Sequence, residues 1–97
     1  MKILLNSESV ENVVSIVCSQ FDVTIDELKS KSQERKFSEP RNILFYIMYR
    51  VYKITCAEVG GAFKRDHSTI LNGSRRTAGF IQVDKKYEEM MSIIINN

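Results

Sequence analysis

Asp66, His67, Ser68 and Thr69 stand side by side, and Arg75 and Arg76 follow less than two helical turns after Thr69. A carboxylate can accept a hydrogen bond from a cytosine amino group. An imidazole can donate to or accept from base atoms, a serine hydroxyl can do either, and a threonine methyl can touch a thymine methyl or a sugar. Arginines further along the same helix can hold phosphate, as can Lys64 and Arg65 just before it. Asp, His and Ser are also the residue types of a nucleophilic triad. Three neighbours at a helix start point in different directions, however, and cannot form a nucleophile–base–orienter relay. The chemistry available to this cluster is recognition, and an enzyme is not expected.

The surrounding pattern supplies a frame for these residues. Positions 55–76 read as a helix, a tight turn and a second helix. Thr55 and Glu58 have capping-box spacing, and Val59, Ala62 and Phe63 give the first helix a core face. The second helix is expected from about Asp66 to Ala78, with Asp66 as N-cap, Ile70 and Leu71 inward and Gly79 as the stop. Upstream, Val10, Val13, Val14, Val17 and Phe21 recur at helical spacing behind Ser7 or Ser9 as N-cap. Thr24 and Glu27 begin a short helix ending near Lys29. Residues 30–38 lack apolar periodicity and read as a basic loop. Pro40 suits the first turn of a third helix carrying Ile43, Leu44, Ile47, Met48 and Val51. Asp84 caps a last helix with Tyr87, Met90, Met91 and Ile94 on one side. Strand signals are nearly absent, so an all-α fold of about six short helices is expected.

Length and composition bound the rest. Ninety-seven residues at 43% apolar content allow one small domain with a modest core, taken as 1–97. No apolar run is long enough for a bilayer, and MKILLN is no signal peptide, so a cytoplasmic protein without membrane partner is expected. Cys18 and Cys56 sit among apolar neighbours and read as buried reduced thiols. With the lone His67 they are too few for a zinc site, and no metal or cofactor is expected. The net charge of +2 hides an asymmetry: residues 1–28 carry −4, residues 29–76 carry +7 and residues 77–97 carry −1. A basic middle flanked by acidic ends suits a polyanion approached from one side.

The stretch from Lys64 to Leu71, KRDHSTIL, resembles the R-D-H-[ST]-T-V-L signature of the C-terminal DNA-binding domain of the bacterial replication initiator DnaA. Ala57-Glu58-Val59-Gly60 with Ala62-Phe63 is similar to that family's P-E-I-G-x-x-F. Pro40-Arg41-Asn42 is similar to its [RA]-x-R-Q helix start, Lys31 to Lys36 falls on its basic loop, and Thr24 to Ser30 on its short second helix. The resemblance covers residues 8–80, with a C-terminal helix over 82–97. It implies a Trp-repressor-like fold in which Asp66, His67, Ser68 and Thr69 read bases in the major groove of double-stranded DNA. It also implies backbone contacts, which fall on Lys64, Arg65, Arg75, Arg76, Arg41 and Asn42, and a loop, here Lys31, Gln33, Arg35 and Lys36, that sends an arginine into the minor groove.

Several positions depart from the family pattern. The minor-groove arginine position holds Gln33, beside Glu34, with Arg35 the nearest arginine. Glu39 occupies a usually basic position. The turn is one residue shorter than the commonest form, and Gly73 replaces a usual alanine, at about 1 kcal/mol to the helix. No phosphate-loop motif is present and the chain has no room for an ATPase. A Met1 start points to a free-standing DNA-binding regulator without small-molecule substrate. The alternative is a protein-interaction module that kept the fold and lost specific DNA binding, with Ile93 to Ile95, Tyr46 and Tyr49 as contact surface.

Overall fold

The structure, a computed structural model, describes residues 8–96. Among the described residues six α-helices follow one another: α1 (Glu8–Phe21), α2 (Ile25–Lys29), α3 (Arg35–Tyr46), α4 (Cys56–Phe63), α5 (His67–Val83) and α6 (Lys85–Asn96). A π-helical turn, Ile47–Val51, prolongs α3, and no strand occurs among the described residues.

The core is built around α3 and its π turn. Ile43, Leu44, Phe45 and Ile47 are wholly buried there, meeting Val13 and Val17 of α1, Leu28 of α2, Val59 and Phe63 of α4, Ile70 of α5 and Ile94 of α6. Phe45 and Phe63 meet edge to face with ring centroids 5.2 Å apart, tying α3 to the helix-turn-helix. Such a pair adds about 0.5–1.5 kcal/mol beyond its area burial. No helix is long and apolar enough to cross a membrane among the described residues.

Local chemistry sets most of the boundaries. Thr24 and Glu27 form the expected reciprocal capping box, with bonds of 2.8 and 3.1 Å. Thr55 accepts from the Glu58 amide at 3.2 Å, and Asp84 caps α6 by accepting from the Lys86 amide at 3.0 Å. Ser7, one of the two expected caps of α1, lies outside the described residues.

Three expectations need correction. The loop is shorter than residues 30–38, because α3 begins at Arg35 and Pro40 lies inside it. The Phe37 and Ser38 amides find the Glu34 carbonyl at 3.0 and 2.9 Å, and Arg35 pairs with Glu39 one turn on at 3.3 Å. Those local bonds extend the helix upstream of the proline, which gives up one ladder bond to the Lys36 carbonyl. Gly79 does not stop α5. It is not in the left-handed conformation that a glycine stop requires, and the helix runs on to Val83. Leu71 is half-buried at the flank of α5 instead of inward.

The turn between α4 and α5 depends on close approach. Lys64 takes the left-handed conformation (φ 55°, ψ 49°), and its amide donates to the Gly60 carbonyl. A Cβ on Gly60 would lie 2.5 Å from the Arg65 carbonyl oxygen, so no other residue fits there without moving the turn. Gly73 plays the same part between α5 and α3: a Cβ there would overlap the Asn42 side-chain oxygen and lie 2.9 Å from the Phe45 ring. Its propensity cost therefore secures close packing of α5 on α3.

Candidate nucleic-acid interface

Asp66 is the N-cap of α5, and one of its carboxylate oxygens organises the start of the helix. That oxygen accepts from the Thr69 hydroxyl at 2.7 Å, the Thr69 amide at 3.0 Å and the Ser68 hydroxyl at 3.2 Å. These bonds, the Thr69 hydroxyl foremost, hold the carboxyl below its ordinary range. Both hydroxyl protons are thereby committed to Asp66. Exposed Ser68 and half-buried Thr69 are left as acceptors. His67, the first residue of the helix, is exposed beside them. The arrangement presents acceptors and an imidazole at the positive end of a helix dipole.

The basic residues divide into two groups. Lys64, Arg75 and Arg76 are exposed, and none enters an ion pair among the described residues. Arg41 is turned inward, only 4% exposed. Its guanidinium donates to the Leu28 carbonyl at 2.7 Å, the Ser30 carbonyl at 3.1 Å and the Ser32 carbonyl at 3.2 Å. Burial, and next the charge of Arg65, lower its pKa. Arg41 is thus not turned outward to a DNA backbone as expected: three of its five N–H donors are held by the chain's own carbonyls. Arg65 is also partly committed. It donates to the Phe63 carbonyl at 3.2 Å and to the same Ser30 carbonyl that Arg41 holds. The two arginines clasp the loop to α3 and to the helix-turn-helix.

Loop residues Lys31 and Gln33 are exposed, and the Ser30 and Ser32 hydroxyls accept from the Ser32 and Glu34 amides at 3.4 and 3.2 Å. Arg35 and Lys36 belong to the first turn of α3. Arg35 pairs with Glu39, while Lys36 lies 3.9 Å from Glu34 and over the Phe37 ring. Between loop, α3 and α5 lies a cleft of about 580 Å³. It brings Gln33, Arg65 and Arg76 together with half-buried Asn42, and joins them to Thr69. Asn72, absent from the sequence-based site, lines this cleft one turn beyond Ser68 and is exposed. Its four-residue spacing from Ser68 was the available signal. Cys18 and Cys56 are half-buried free thiols, far from the full burial expected, and burial pushes the Cys18 thiol up.

Residues 10–76 match the family described as "Bacterial dnaA protein helix-turn-helix". Among curated relatives, the chromosomal replication initiator protein DnaA of Desulfotalea psychrophila is 34% identical over 68 residues, covering 70% of this chain and 14% of that protein. The protein of that name from Acholeplasma laidlawii is 29% identical over 92 residues, covering 94% of this chain and 21% of the relative. That from Mycoplasma pneumoniae is 26% identical over 83 residues, 86% of this chain and 19% of its own length. The chain thus spans about a fifth or less of these relatives.

Proposed function

The chain belongs to the bacterial DnaA helix-turn-helix family, a DNA-binding module without catalytic machinery, and on that premise we propose that it binds double-stranded DNA sequence-specifically by placing the start of α5 in the major groove. The observation that carries this reading is the Asp66 cap. By taking both neighbouring hydroxyl protons it fixes Ser68 and Thr69 as acceptors beside exposed His67. Bases with exposed amino groups, cytosine and adenine, complement such a surface. One DNA strand then runs along the cleft, where Arg76 and Asn42 reach its phosphates. Lys64 and Arg75 supply further charge, and the loop approaches the minor groove with Gln33. In this role the protein acts as a small regulator at initiator-type sites, recognising DNA without hydrolysing nucleotide.

Selection from random duplexes followed by titration of the recovered and scrambled sequences tests the reading. A preference of about a thousandfold or more is expected for the recovered site. Equal affinity for both would leave only non-specific binding. A second reading, a protein-interaction module, draws on the pairing of Arg35 with Glu39 and of Lys36 with Glu34, which tempers the positive field near the loop. It predicts no recovered site.

A further inference from the structure

On the flank of α5 away from the cleft lies a second groove, of about 390 Å³, between α5, the π turn and the start of α4. From α5 it takes Leu71, Ser74 and Arg75, whereas the cleft takes Thr69, Asn72 and Arg76. At 100° per residue the two sets fall on different sides of exposed Ser68. Arg50 of the π turn and Lys53 after it complete a group of three exposed cations around the groove, and none of its lining residues is acidic. Lys53 holds a left-handed backbone (φ 61°). The ion pairs formed among the described residues lie elsewhere, at Arg35–Glu39 and Lys36–Glu34. Ser74 lines the same groove, is 1% exposed, and its hydroxyl has no hydrogen-bond partner among the described residues. A helical serine ordinarily bonds back to the preceding turn. This one keeps a donor unspent at the wall of a basic groove.

A helix with its side chains is about 10–12 Å across and the major groove about 12 Å wide. A helix lodged there therefore meets a sugar-phosphate wall on each flank. We propose that this groove is a second phosphate site, in which Arg50, Lys53 and Arg75 grip the strand opposite the one in the cleft and Ser74 donates from the wall. The proposal rests on the reading that α5 enters the major groove. It assigns to Arg50 and Lys53, outside the family signature, a share of the affinity and none of the sequence preference.

The test compares the full chain with Arg50→Gln/Lys53→Gln and with Ser74→Ala on the recovered duplex over a salt series. The double variant should weaken matched and scrambled duplexes alike and reduce the slope of log K against log salt by about two. Ser74→Ala should weaken the duplex while its thermal midpoint stays equal or rises, because an unpaired buried hydroxyl has been removed. Neutral methylphosphonates on one flanking strand should abolish the difference between wild type and double variant, and on the other strand should leave it. An unchanged slope in a double variant whose wild type binds DNA would overturn the proposal and leave the groove to an acidic polypeptide. Absence of salt-dependent binding by the wild type would fail the proposed function itself.

Discussion

Arg41 and Arg76 carry the same guanidinium on neighbouring helices, and their surroundings give them opposite work. Arg41 is buried and donates to three carbonyls of the chain that leads into the loop. Arg76 is exposed at the cleft with no ion-pair partner among the described residues. One arginine builds the surface and the other is left free to use it. Placement separates a cation committed to the fold from one left exposed, where residue type does not.

The largest expected effect breaks the structural half of that contrast. Arg41→Ala strips charge-assisted donors from three carbonyls and should cost about 3 kcal/mol of stability. For a domain near a hundred residues that lowers the thermal midpoint by roughly 12 °C or more. Arg41→Lys should recover little, since an ammonium cannot span the three carbonyls. Arg76→Ala should leave the thermal midpoint within error. Equal midpoints for the two alanine variants would erase the distinction.

His67→Ala sharpens the binding half. It should relax sequence preference by about 1–3 kcal/mol while scrambled duplex binds as before. Arg76→Ala should weaken every duplex alike and flatten the salt slope by about one. Identical behaviour of the two variants on matched and scrambled sites would mean that their roles are misassigned.

Gln33→Arg is a smaller gain, up to about 1–2 kcal/mol on a family-type duplex, the scale of one charge-assisted hydrogen bond to a narrow minor groove. Arg35→Ala on the same duplex provides the rival outcome. A severe loss there with a neutral Gln33→Arg would mean that Arg35 already fills the groove.

The subtlest effect is on pH. The Asp66 carboxyl is held below its ordinary range by hydrogen bonds, so its contribution to stability is complete above its unfolded pKa and fades as pH falls through the folded one. Melts of wild type and Asp66→Asn should therefore differ at pH 7 and converge in acid. A gap that does not narrow as pH falls would assign the difference to something other than ionisation.

Most of the fold was legible because its signals are local. The Thr24, Thr55, Asp66 and Asp84 caps each stand beside the helix they begin, and the apolar stripes of α1, α3 and α6 keep their period. Boundaries set by competition were not. Pro40 and Gly79 are strong local signals for a start and a stop, yet the Glu34–Arg35–Glu39 bonding overrode the first. The second failed because glycine ends a helix only when it turns left-handed. The cluster at the start of α5 was legible as residue types, but not the commitment of two hydroxyls to one carboxylate oxygen. Arg41 was misread for the same reason: its acceptors lie nine to thirteen residues away and become partners only when α2 and the loop fold back on α3. Arg50 and Lys53 belong to no signature and emerge only once helices lie side by side, whereas Asn72 could have been found from its four-residue spacing from Ser68.

Wild-type affinity for a duplex bearing the recovered site, measured across salt concentrations, tests the central claim most directly. With roughly six phosphates neutralised by the exposed cations that flank α5, log K should fall with log salt at a slope near −5. A slope near zero would contradict the account, however well the start of α5 matches its family.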